Sequence, residues 1–85
     1  MINPLEFGKG IEVLVYLYDN ENNSVLDISW ETRITYSYLS KIIEVLGKKG
    51  LISSKKEGRR LIINLTKNGK EIAKRFIEIN KILKR

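Results

Sequence analysis

The sequence predicts a mainly α fold with a small β-hairpin: a three-helix core, then the hairpin, then a long C-terminal helix. Two observations predict it. Apolar residues recur at helical spacing in separate stretches, most clearly Leu39, Ile42, Ile43 and Leu46 at i, i+3, i+4, i+7. Between that stretch and the last one the apolar period falls from 3.6 to two, over residues 51–65.

The first helix has a start signal in Asn3-Pro4-Leu5-Glu6, with Asn as N-cap, Pro at the first helical position and Glu two residues further on. Ile11, Leu14, Leu17 and Tyr18 continue its stripe, and Val13 and Val15 broaden it. Gly8 and Gly10 weaken the first turns, which allows a start later than the cap suggests. Tyr16 and Tyr18 read as packing residues rather than a ligand box. Asp19 to Ser24 is a polar loop. Ser24 or Asp27 can cap a second, shorter helix whose apolar residues are Leu26, Ile28 and Trp30, with Trp30 expected as a core anchor. Arg33-Ile34 then makes a short join into the next helix. Two helices so tightly joined fit a helix-turn-helix, although the turn lacks Gly.

Thr35 can cap the third helix, and Gly50 can supply the left-handed residue that ends it. Opposite its apolar stripe lie Ser37, Lys41, Glu44 and Lys48, with Ser40 at the edge. Taken alone, such a helix is a surface helix with a solvated side. With its neighbours it reads as a DNA recognition helix. Leu51–Lys55 and Arg60–Leu65 are the strands of the hairpin, and Gly58 can take the positive φ that the turn needs. Leu61, Ile63 and Leu65 should face one way, and Arg60, Ile62 and Asn64 the other. The tip carries Lys55, Lys56, Arg59 and Arg60, which could protect an edge or reach DNA backbone or minor groove. Thr66 caps the last helix. Ile72, Phe76, Ile79 and Leu83 form its stripe, with Ala73, Ile77 and Ile82 beside it. At 1.5 Å per residue it runs about 28 Å, and its apolar width exceeds what so small a fold covers. Either the first helix covers it all, or a second copy does. The second reading makes Ile72, Phe76, Ile77, Ile79, Ile82 and Leu83 a homodimer interface, built through the C-terminal helix with helix 1.

Composition narrows the function. With no Cys and no His in 85 residues, thiol nucleophiles, Cys/His metal sites and His-based acid–base catalysis drop out. No paired carboxylates, nucleophile–base pair or phosphate-cradling glycine loop stands in the sequence, so it is not expected to be an enzyme. No metal or cofactor is expected. No apolar run has membrane-spanning length and no signal-peptide pattern stands at the N-terminus, so a cytoplasmic protein without a membrane partner is expected. The net charge of +6 is sorted along the chain: residues 1–32 carry one base and six acids, while residues 33–85 carry fifteen bases and four acids. Sorting of this kind favours a polyanion on one side.

The order of elements resembles a winged helix-turn-helix, with the hairpin as its wing, and its details are similar to the MarR-like transcriptional regulators. The run Leu46-Gly-Lys-Lys-Gly50-Leu51-Ile52 is similar to that family's exit from recognition helix into wing. Leu65-Thr66-Lys-Asn-Gly69 is similar to its strand-to-helix signature, and Arg59, seven residues before Thr66, matches its wing arginine. The resemblance covers about residues 24–75. Glu57 departs from the Asp usual in the wing motif. The chain is also shorter than typical members, whose extra terminal helices build the dimer, so their mode of dimerisation does not carry over. The expectation is one winged helix-turn-helix domain over residues 1–85, with the helix-turn-helix at about 25–49, the wing at about 51–65 and the C-terminal helix at about 66–84. Its partner would be double-stranded DNA, read in the major groove from Thr35, Tyr36, Ser37, Tyr38, Ser40, Lys41 and Lys48. Arg33, Lys49, Lys55, Lys56, Arg59 and Arg60 would meet phosphates or the minor groove. The rival readings are an architectural protein that binds DNA without sequence choice, a protein-interaction winged helix, and a basic helix over residues 67–85 lying on an anionic membrane.

Overall fold

The computed structural model describes residues 4–84, with side chains from residue 8 onward. In chain order the elements are α1 (Pro4–Asp19), β1 (Asn23–Ser24), α2 (Val25–Thr32), α3 (Tyr36–Lys48), β2 (Ile52–Glu57), β3 (Arg60–Leu65) and α4 (Lys67–Leu83). The three strands form one antiparallel sheet in the order β1-β3-β2.

The core gathers one stripe from each helix. Val13, Leu14 and Leu17 of α1 meet Val25 and Ile28 of α2, Leu39, Ile42 and Leu46 of α3, Ala73 of α4, and Ile52, Ile63 and Leu65 of the sheet. Ile34, the residue between α2 and α3, is buried among them and fixes the angle of the join. Helix α1 runs from Pro4, so Gly8 and Gly10 do not delay it. Two glycines cost a helix roughly 1 kcal/mol each against Ala, and the packing of α1 across α2, α3 and α4 outweighs that. The expected cap, Asn3, lies outside the described residues. Tyr16 packs against the core while Tyr18 stays partly exposed.

Two expectations need correction, and the faces of β3, which alternate as expected, are buried unevenly. Trp30 is not a core anchor: it is 78% exposed, and its neighbour Leu26 is 58% exposed. An eight-residue helix has little more than two turns, and Val25 and Ile28 occupy its buried face. Trp30 stands two residues from Ile28, about 200° around the helix, and so points outward. The segment read as a loop contains β1, which pairs Asn23 with Ile63 and Ser24 with Ile62. A two-residue strand is too short to leave a period in the sequence. Asn22 enters it at φ 58°, and its side chain exchanges hydrogen bonds with Asn64: the Asn22 backbone N–H donates to Oδ1 at 2.7 Å and Asn64 Nδ2 donates to Asn22 Oδ1 at 2.9 Å. Finally, Ile62 is buried although it shares the face of Arg60 and Asn64, because α2 packs on that side of β3. Leu61, on the face of buried Ile63, is 39% exposed because the hairpin has already left the core.

Gly69 sets how α4 meets the sheet. A Cβ built there would lie 1.9 Å from the Leu51 carbonyl oxygen. The first turn of α4 therefore rests on the backbone at the base of the hairpin, an approach only glycine allows. Among the described residues no helix is long and apolar enough to cross a membrane.

Candidate nucleic-acid interface

The recognition segment is held at both ends by local chemistry. Ser24 caps α2: its Oγ accepts from the Asp27 backbone N–H at 3.1 Å. In return the Asp27 carboxylate is held by the Ser24 hydroxyl and backbone N–H, which, with the nearby Arg60 charge, keeps its pKa below the ordinary value of 3.8. The turn into α3 passes through Arg33 at φ 60°, the left-handed conformation where a glycine is usual. Ser29 Oγ donates to the Ile34 carbonyl at 2.6 Å and so ties α2 across the turn, while Thr32 Oγ1 donates to the Ile28 carbonyl at 2.6 Å within the last turn of α2. Thr35 then caps α3, its hydroxyl accepting from the Tyr38 N–H. At the far end Gly50, at φ 72°, donates to the Gly47 carbonyl and Leu51 to the Leu46 carbonyl, the paired bonds of a Schellman motif.

Between those ends α3 buries Leu39, Ile42 and Leu46 and turns Tyr36, Ser37, Ser40, Lys41, Glu44 and Lys48 to solvent. Thr35 is exposed beside them. Tyr38 sits half-buried against the core, so its ring positions the helix more than it offers a free edge. Ser40 Oγ donates to the Tyr36 carbonyl at 2.9 Å and keeps its acceptor capacity. Lys48 pairs with Glu44 at 3.3 Å. Arg33, Lys41 and Lys49 have no acidic partner among the described residues, and all three are exposed.

The register of the hairpin divides the basic tip. Ile52, Ser54 and Lys56 pair with Leu65, Ile63 and Leu61 and share the core face, while Ser53, Lys55 and Glu57 share the other face with Asn64, Ile62 and Arg60. The two-residue turn is Gly58-Arg59, with Gly58 at φ 61°, the position where a type II′ turn takes glycine. On the outer face both bases are engaged: Lys55 Nζ lies 3.7 Å from Glu57, and Arg60 binds the Asp27 carboxylate at 2.8 Å. Arg60 thus straps the hairpin to the start of α2. Lys56 and Arg59 are exposed and have no acidic partner among the described residues. All four wing bases stand in the sequence, but the engagement of Arg60 does not, because Asp27 lies thirty-three residues from it.

On α4 the expected dimer residues separate along the helix. Ile72, Phe76 and Ile77 are half-buried, whereas Ile79, Ile82 and Leu83 are 48%, 61% and 75% exposed. Helix α1 packs along α4, where Ala73 is buried.

Residues 11–84 match the family model described as a winged helix DNA-binding domain. No curated protein matches the sequence. Among solved structures, the chain is similar to AF1382 from Archaeoglobus fulgidus, with 26% identity and a TM-score of 0.86 over 92% of this chain and 90% of that one. It is similar at 26% identity to MepR, a transcription regulator of the Staphylococcus aureus multidrug efflux pump MepA, with a TM-score of 0.81 over 88% of this chain and 58% of MepR. It is similar also to MepR in its DNA complex, at 25% identity and a TM-score of 0.78 over 89% of this chain and 65% of that one. The chain therefore spans most of AF1382 and little more than half of MepR. These neighbours bear out the likeness to MarR-like regulators read from residues 46–69 and the fold it implied.

Proposed function

We propose that this chain, which belongs to the winged helix DNA-binding domain family, acts as one such domain and is a sequence-specific transcriptional regulator that binds double-stranded DNA as a homodimer. Helix α3 would enter the major groove and the hairpin would lie along the backbone or minor groove. The observation that carries this reading is the outer face of α3, where short polar side chains surround Lys41, which has no acidic partner among the described residues. Ser37 and Ser40 let the helix approach closely, Ser37, Ser40 and Lys41 can hydrogen-bond base edges, and Tyr36 stands at the edge of the groove. Arg33 and Lys49 at the helix ends and Lys56 and Arg59 on the hairpin supply phosphate contacts. Arg60 is bound to Asp27 and ties the hairpin to α2, Lys55 is paired with Glu57 on its own strand, and Lys48 is shared with Glu44. The DNA complex of the neighbour MepR supports the mode of binding.

Homodimerisation rests on the free end of α4, whose exposed Ile79, Ile82 and Leu83 suit the same helix, and α1, of a second copy. A two-fold dimer calls for half-sites about 34 Å apart, one turn of duplex. Selection of bound duplexes from a random pool, repeated at two salt concentrations, tests the reading. It should return a palindromic consensus at both. Retention without enrichment, disappearing at the higher salt, would instead mark an architectural protein.

A further inference from the structure

The outer edge of α2 is not used by the interface described so far. Trp30 is 78% exposed, Leu26 lies one helical turn before it and is 58% exposed, and Tyr36, the first residue of α3, is 56% exposed. Arg33 lies between the two aromatic residues in the sequence, at the turn, left-handed, exposed and without an acidic partner among the described residues. A small fold that has a core available leaves its one tryptophan in water only at a cost, since the ring presents on the order of 150–250 Å² of surface. Trp, Tyr and Arg are the residue types that dominate contact energy where proteins bind partners.

We propose that Trp30, with Arg33 and Tyr36, packs on the sugar-phosphate backbone of the duplex whose groove α3 enters, so that the footprint extends across the turn onto α2. The proposal rests on the function proposed above and goes beyond it by adding a residue and a surface. The chemistry commits it to DNA. Arg33 and the Trp30 indole N–H can only donate, the Tyr36 hydroxyl can donate, and a phosphate offers only acceptors. Of the acids of α2, Asp27 is bound to Arg60, and Glu31 stands about 100° around the helix from Trp30. The turn is also held by the bond from Ser29 to the Ile34 carbonyl, which lowers the cost of ordering this surface when it meets a ligand.

Trp30 is the only tryptophan, so its emission reports on this surface alone. The full chain is titrated with an end-labelled duplex recovered by selection. Label anisotropy reports binding, and Trp30 emission with acrylamide quenching reports burial. The expected result is a blue shift and at least a twofold fall in quenching, saturating together with the anisotropy. Trp30→Ala should weaken binding to every sequence alike by about tenfold, with its circular dichroism unchanged, and Trp30→Phe should recover only part of that loss. Binding by anisotropy with Trp30 still fully quenched, or an unchanged affinity of Trp30→Ala, overturns the proposal and leaves the proposed function standing. Emission that shifts with protein concentration in the absence of DNA assigns the surface to a second copy and overturns it too. No anisotropy change at low salt with any duplex removes the function itself, and the proposal with it.

Discussion

Helices α3 and α4 begin alike and end differently. Each is capped by a threonine whose hydroxyl accepts from the N–H three residues on, Thr35 from Tyr38 and Thr66 from Gly69. Each carries a regular apolar stripe. In α3 that stripe is buried nearly throughout, and what remains outside is mostly polar, with Val45 the one exposed aliphatic side chain of the helix. In α4 only Gly69 and Ala73 are fully buried, and the second half leaves apolar side chains in water. The same sequence pattern therefore serves two purposes, and the extent of the core decides which. A stripe that ends where the core ends leaves a polar face for nucleic acid. A stripe that outruns the core leaves an apolar face, the kind that associates with protein.

The sharpest test of this contrast uses one glycine from each helix. Gly69→Ala should destabilise the chain by about 3 kcal/mol or more, because its Cβ would collide with backbone at Leu51 rather than with a flexible side chain. Gly47→Ala in α3 should do the reverse. Nothing lies within 4 Å of a Cβ there, so removing the glycine's extra freedom should stabilise by about 0.5–1 kcal/mol. Denaturant titration of both variants settles the pair. A Gly69→Ala protein as stable as wild type would mean that α4 does not rest on the hairpin base.

The second test goes to the free end of α4. Ile79→Glu with Leu83→Glu should leave the fold intact, since both side chains are already exposed, while shifting dimer to monomer by at least tenfold in sedimentation velocity. The matched experiment on α3 is Lys41→Ala beside Arg59→Ala. Loss of Lys41 should cost about 1–3 kcal/mol of discrimination at one base position. Loss of Arg59 should weaken all sequences equally and lower the salt slope by about one. If both variants bind like wild type, helix and wing are not the interface.

These contrasts also mark what the sequence could disclose. Helix α3 was legible from Thr35 to Gly50 because cap, stripe and terminator are all local. The hairpin was legible from its change of period and Gly58. Trp30 misled because residue type was weighed without its angle from Ile28, which the sequence does contain. The left-handed Arg33 was hidden because the turn has no glycine and is held by the bond from Ser29 to the Ile34 carbonyl. The partner of Arg60 and the strand β1 were hidden because both depend on residues brought together only by folding. Of the basic tip, the sequence supplied the charges and the fold decided which of them are free.

The two caps should differ modestly. Thr35→Ala should cost about 1 kcal/mol. Thr66→Ala should cost more, because its hydroxyl also donates to the Gly50 carbonyl at 2.6 Å and so joins α4 to the end of α3. That bond adds roughly another 1 kcal/mol. Equal losses on thermal unfolding would show that the bond to Gly50 contributes nothing.

The smallest effect concerns the strap between α2 and the hairpin. The Asp27 pKa is lowered in the fold by its bonds to Ser24 and by the charge of Arg60. A carboxylate with a lowered folded pKa binds fewer protons folded than unfolded in the range between the two values. Its contribution is therefore complete above the ordinary value of 3.8 and fades as pH falls through the lower folded one. Tyr16 works in the opposite direction: burial, with Glu31 and Asp27 nearby, raises its pKa above 10.0, so its contribution fades as pH rises past that value. Asp27→Asn should accordingly flatten the acid limb of the stability profile and leave the Tyr16 contribution at alkaline pH in place, less the part owed to the Asp27 charge. It should also free Arg60 and loosen the hairpin, while α4, whose cap and glycine contact do not involve Asp27, stays as it was. Amide exchange resolves the two outcomes: faster exchange confined to β1 and β3 supports the strap, and equal acceleration along α4 would show that the two regions are not separable.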